Sequence, residues 1–148
     1  MKVCSVTGHR VLGKDFSAAA LEEKLTQLVL GGVDTFCIGM AQGFDLLCGE
    51  ILCNMKEFYG LRLVACIPCA DQCEKYPPRE KARYNKILAR CDETIILHEF
   101  YVNGCMFERN RLLVDKCDVL LAYLRTQRGG TFYTVNYAKK AGKPVVCL

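Results

Sequence analysis

The sequence predicts an α/β, Rossmann-like domain of three layers, with a mainly parallel sheet of about six strands and helices on both faces. Three observations carry this reading. Short apolar runs rich in β-branched residues recur six times, amphipathic helical patterns separate them, and turns rich in glycine follow several of the runs. Apolar strands alternating with helices imply parallel neighbours, because parallel strands need crossover connections and helices then cover both faces.

The elements follow in order. The first strand is expected at residues 2–6. A helix follows in which Ala18, Leu21, Leu25 and Leu28 share a stripe, Glu22, Glu23, Lys24 and Gln27 face outward, and Gly31 and Gly32 stop the pattern. The second strand is expected at 35–38, and the second helix places Leu47, Ile51, Met55 and Phe58 on one stripe before Gly60. After a third strand at 61–67, a helix opens behind Pro77 and Pro78 and carries Tyr84, Leu88 and Cys91. A fourth strand at 94–97 leads to a helix at 105–116 with Met106, Leu113, Val114 and Cys117 inward. A fifth strand at 119–124, a helix at 131–141 stopped by Gly142, and a last strand at 144–148 complete the chain.

With 148 residues and no repeat or linker, one domain over 1–148 is expected. Hydrophobic residues at 51% and charged residues at 24% exclude a disordered chain. No apolar run reaches the roughly 18 to 20 residues of a membrane helix. The N-terminal apolar stretch is too short for a signal-peptide core, so a cytoplasmic location is expected. The eleven cysteines, an odd number, are then expected as free thiols. A net charge of +4 is mild, which counts against nucleic acid as a partner and suits a small anionic ligand.

The unusual residues gather after the strands, at 7–10 (TGHR), 39–45 (GMAQGFD), 67–72 (IPCADQ), 101–111 (YVNGCMFERNR) and 125–131 (RTQRGGT). Doubly wound sheets bind ligands beyond the carboxyl ends of their strands, so these five segments are expected to converge on one rim. Gly39, Gly43, Gly129 and Gly130 let a backbone approach a ligand, and a helix start directly after the last pair offers unpaired amides. Arg125 and Arg128 flank that pair, and Thr131 and Thr134 add hydroxyls, a pattern that suits phosphate and also fits an ordinary glycine helix start with exposed arginines.

Asn110 falls on the inward stripe of its helix, where a buried amide either ties loops together or meets a ligand. Arg111 and Asp115, four apart, are expected to pair on the helix surface, which leaves Arg109 as the site candidate. Asp45, beside Ala41 in the second segment, either caps its helix or takes a ribose hydroxyl. Thr7, Gly8, His9 and Arg10 follow what is expected to be the central strand, as ligand contacts or as a capping turn. Cys66, Cys69 and Cys73 have a zinc-like spacing, but one C-x2-C pair is what chance gives at this cysteine frequency, so no metal is expected. GxSxG, the P-loop, HExxH and GxGxxG are all absent. No cofactor is expected.

Together and in order, TGHR, GMAQGFD, YVNGCMFERNR-LLVD and RGGTFYTVNYAKKAGKPV resemble the YpsA-like branch of the SLOG superfamily of Rossmann-like proteins, over nearly the whole chain. The resemblance implies binding or sensing of a nucleotide or nucleotide-derived ligand, a phosphorylated nucleoside or an ADP-ribose-like compound. Gly129, Gly130, Thr131 and Thr134 would hold phosphate, with Arg109, Asn110 and Arg128 closing the site. The superfamily also contains LOG-type phosphoribohydrolases with a PGGxGTxxE pattern. Here the segment runs from Arg128 to Thr134, and Thr134 stands where the acid would be. Glycosidic cleavage passes through a cationic, sugar-like transition state that a carboxylate stabilises and a threonine does not, so binding without catalysis is the leading expectation. Hydrolysis of a nucleoside monophosphate, with Glu108 or Asp45 substituting, is the alternative. Single-stranded nucleic-acid binding, implied by a likeness to DprA proteins, is a further one. A homodimer is the expected assembly for an α/β domain of this size.

Overall fold

A computed structural model describes residues Met1–Leu148. In chain order it holds β1 (Val3–Gly8), α1 (Ala18–Leu30), β2 (Thr35–Ile38), α2 (Phe44–Tyr59), β3 (Arg62–Cys69) and α3 (Pro78–Arg90). Then come β4 (Glu93–His98), α4 (Cys105–Lys116), β5 (Val119–Tyr123), α5 (Gly130–Lys140) and β6 (Val145–Cys147). The strands form one sheet in the order β4-β3-β2-β1-β5-β6 with every pair parallel, as the alternation of strands and helices predicts.

Chain direction across the sheet explains where a site can form. The first four strands add outward from β1, and α4 then carries the chain back across the sheet to β5 on the other side of β1. The order therefore switches between β1 and β5, where loops leave in opposite directions and open a crevice. Alternation along each strand builds two apolar layers. Cys4 and Val6, Phe36 and Ile38, and Leu63 and Ala65 face α1, α2 and α3. Val3, Cys37, Val64 and Cys66 face α4 and α5.

The helices form where the apolar spacing and their ends agree. Ser17 caps α1 by accepting from the Ala20 amide at 3.1 Å, and Leu21 and Leu25 are fully buried. Gly60, in the left-handed region, ends α2, and Pro78 opens α3. No helix is long and apolar enough to cross a membrane.

Three local expectations are corrected. β1 runs to Gly8 and β3 to Cys69, because Gly8 pairs with Tyr123 and Cys69 with His98; Thr7, Gly8 and the start of IPCADQ belong to strands. In α2 the buried face is Phe44, Cys48, Leu52 and Met55, whereas Leu47 and Ile51 are half-buried and Phe58 is 84% exposed. The helix is covered by the sheet on one side and by α1 and α3 on others, so its apolar surface is wider than one stripe, and Phe58 stands beyond the cover and packs on Tyr59. Arg111 and Asp115 do not pair with each other; Arg111 donates to the Tyr133 hydroxyl at 2.9 Å and Asp115 accepts from Tyr137 at 3.0 Å, which ties α4 to α5. All eleven cysteines are free. Cys66 packs under α4 and α5 while Cys73 packs on the opposite layer, which puts the zinc-like trio on two sides of the sheet.

Candidate functional site

A cleft of about 910 Å³ opens at the carboxyl ends of β1 and β5. Thr7 and Gly8 end β1 at its floor, and His9 and Arg10 continue along its wall. Ala41 and Asp45 enter from the loop after β2, Arg109 and Asn110 from α4, and Arg128, Gly129, Gly130 and Thr131 from the turn into α5. Three predicted residues lie outside the lining: Gly39, Gly43 and Thr134. The five loops do not share one cavity. The loop after β3 braces the site from behind through Gln72, and the loop after β4 lines a separate hollow of about 500 Å³ with His98, Glu108 and Tyr133.

The α2–α4 end of the cleft is a buried polar network. Arg109 is only 4% exposed, yet its guanidinium is satisfied: Nη1 donates to the Gly39 carbonyl and Nε to Asn110 Oδ1 at 2.8 Å. Gln72 Nε2 donates to the same Gly39 carbonyl at 3.0 Å. Gly39 has to be glycine, since a Cβ there would stand 2.8 Å from Arg109 Nη1 and 2.9 Å from Asp45 Oδ2. The next residue, Met40, holds a φ of 64°, a strained setting for a residue with a side chain, and its carbonyl is anchored by the Tyr76 hydroxyl at 3.0 Å. Gly43 turns the chain into α2 at a φ of 80°, against the Arg10 carbonyl.

Asp45 is the group with most at stake here. Its Oδ2 accepts from the Ala41 amide at 3.2 Å, while Oδ1 is buried without a partner. Burial pushes its carboxyl up to about 6, with the Arg109 charge and the Ala41 amide pulling the other way.

The α5 end is built differently. Gly129 and Gly130 start α5 with no side-chain cap, so the amides of its first turn and the positive end of its dipole face the cleft mouth. Arg125 is occupied: it pairs with Asp15 at 2.8 Å, donates to the Leu148 carbonyl at 2.9 Å and lies 4.5 Å over the Tyr123 ring. Arg10 and Arg128 have no side-chain partner and stand exposed at the mouth. His9 Nε2 accepts from the Arg125 amide at 2.7 Å, which requires the neutral ring with its proton on Nδ1, and burial followed by the Arg125 charge lowers its pKa accordingly.

A profile of the YspA SLOG family matches residues 14–144. The chain belongs to the YspA SLOG family. Its relatives include the "UPF0398 protein" of Bacillus pumilus, 28% identical over 88% of this chain and 77% of that protein. The "UPF0398 protein" of Bacillus anthracis is 29% identical over 97% of this chain and 85% of that protein. Among solved structures, the fold is similar to DNA processing protein A (DprA) of Streptococcus pneumoniae, with a TM-score of 0.71 and 20% identity. It is also similar to DprA of Helicobacter pylori, described for its single-stranded DNA binding mode, with a TM-score of 0.75 and 19% identity. The SLOG chain is covered to 99% in both, but spans 50% and 64% of those DprA chains.

In this SLOG protein the carboxylates fall in places the sequence left open. Thr134 is fully buried and its hydroxyl donates to the Gly130 carbonyl at 2.7 Å, so it braces the first turn of α5 and does not face the cleft. Glu108 pairs with His98 at 2.6 Å in the separate hollow. The carboxylates of the cleft are Asp15, which is held by Arg125, and Asp45. Sequence patterns missed Met40, Gln72 and Tyr123. Tyr123 reads as one more apolar strand residue, yet its hydroxyl accepts from the Gly13 amide at 3.0 Å and fixes the first loop.

Proposed function

We propose that the cleft binds or senses a nucleotide or nucleotide-derived ligand, such as a phosphorylated nucleoside or an ADP-ribose-like compound. One observation carries the reading: the uncapped start of α5 opens into the cleft at the switch between β1 and β5, beside two arginines with no other partner. A phosphate there takes the amides of Gly130 and Thr131 and the charges of Arg128 and Arg10. Arg109 and Asn110 hold the opposite wall. The reading needs no cofactor and no chemical step; the hydrolytic alternative rests on Asp45, whose raised pKa is the kind found in catalytic carboxylates.

The likeness to DprA restores nucleic acid, which the mild charge counted against, as the second reading. A thermal-shift panel separates these. Nucleoside monophosphates, ADP-ribose and NAD are set beside an oligodeoxythymidylate, because a ligand that binds only the native state raises Tm. The nucleotide reading expects stabilisation by at least one nucleotide, weakened in Arg128→Ala. Binding of the oligonucleotide with a steep salt dependence and no competition by nucleotides would replace it with the second reading. Release of free base from a monophosphate would establish the hydrolase.

A further inference from the structure

The unpartnered oxygen of Asp45 says what kind of ligand the cleft is built for. Buried carboxylate oxygens are as a rule hydrogen-bonded, and an exception calls for a partner the chain itself does not supply. Asp45 is 4% exposed, its Oδ2 takes the Ala41 amide, and Oδ1 has nothing. The nearest cation does not fill the gap, since Arg109 is committed to the Gly39 carbonyl and Asn110 Oδ1 and makes no ion pair with Asp45. Gln72 and Tyr76, on the same side, are committed to the carbonyls of Gly39 and Met40.

The missing donor and the start of α5 belong to one cleft. Asn110 turns its amide nitrogen toward Gly130, 3.6 Å from where a Cβ on that glycine would lie. Its oxygen holds Arg109, and Arg109 reaches the Gly39 carbonyl beside Asp45. The wall of the cleft therefore runs from an anion-binding helix start, through Asn110 and Arg109, to a buried acceptor. A carboxylate at that far end repels phosphate and attracts hydroxyl donors, so it also sets which way round a ligand lies. In a ribonucleotide the sugar hydroxyls are the donors that come next along the molecule from the 5′-phosphate. A deoxynucleotide lacks the 2′-hydroxyl, and an internal nucleotide of a DNA strand has neither hydroxyl free.

We infer that Asp45 is a specificity-determining residue that reads ribose hydroxyls and makes the cleft select ribonucleotides over their deoxy counterparts. This rests on the reading of the cleft as a nucleotide site and adds to it a substrate class.

The test measures Kd by titration for the four ribonucleoside 5′-monophosphates and their 2′-deoxy and 2′,3′-dideoxy counterparts. It is run on the parent, Asp45→Ala and Asp45→Asn. Losing a hydrogen bond to a charged buried group predicts that deoxy probes bind the parent roughly ten- to a hundredfold more weakly. In Asp45→Ala the ribo-to-deoxy ratio falls to about one because ribonucleotide affinity drops while deoxynucleotide affinity stays. Asp45→Asn keeps an acceptor for the Ala41 amide and so the fold; its ratio shrinks in the same direction. Equal affinities in the parent overturn this inference and leave the cleft reading standing. A preference that survives both substitutions overturns the assignment to Asp45. Binding of neither series overturns the cleft reading, and the inference with it.

Discussion

The two ends of the cleft are made of opposite materials. At the α2–α4 end, Gly39, Asp45, Arg109 and Asn110 lie in a buried network, held by hydrogen bonds and a strained Met40. At the α5 end, Gly129, Gly130 and Arg128 are exposed, and no side chain occupies the helix start. The difference separates two kinds of function. The buried end is part of the stability of the fold, so substitutions there are expected to read out in folding, and at Asp45 in ligand choice as well; the open end carries little stability, so substitutions there are expected to read out in binding alone.

The largest effect expected at the buried end is that of Arg109→Ala. It strips the Gly39 carbonyl and Asn110 Oδ1 of a charged donor and removes the charge that opposes the burial of Asp45, which costs about 2–4 kcal/mol. Urea unfolding measures it, and a loss under about 1 kcal/mol would dissolve the contrast. Next comes Asp45→Asn, whose effect has a pH signature. The folded carboxyl sits at about 6 against an ordinary 3.8, so the protonated form is favoured by folding. That contribution is full below about 4 and lost as pH rises through about 6, after which the buried charge costs about 2–3 kcal/mol. Asp45→Asn is therefore more stable than the parent at pH 8 and equal to it at pH 4; a constant difference across that range contradicts the assignment.

The smallest effects come from the same change made at both ends. Gly39→Ala drives a methyl group against Arg109 and Asp45 and costs about 1–3 kcal/mol. At Gly130 the nearest atom to a new Cβ is Asn110 Nδ2 at 3.6 Å, so Gly130→Ala changes stability by less than about 0.5 kcal/mol. Equal thermal shifts for the two variants would show that the ends do not differ.

How much of this was legible in the sequence follows from the range of the forces involved. Alternating strands and helices are local periodicities, and they gave the parallel sheet and its two helical layers. The ends of β1 and β3 were misplaced because pairing with β5 and β4 sets them, and those partners are far away in the chain. The inward Asn110 was visible from its stripe. The burial of Arg109 beside it was not, because the Gly39 carbonyl it meets lies on another loop. Arg111 and Asp115 read as a pair by spacing until the tyrosines of α5 claimed both. Thr134 shows the limit of motif reading: its place in the pattern was recognisable, but not that its hydroxyl turns back to the Gly130 carbonyl.

Calorimetric titration of the most stabilising nucleotide into the parent and into Gly130→Asp tests the central claim, that the open start of α5 is a phosphate site. The account predicts saturable binding to the parent and at least tenfold weaker binding to the variant, whose Tm without ligand is unchanged, because the new carboxylate meets the phosphate at the helix start. Equal affinity in the two proteins, with both folded, would contradict it.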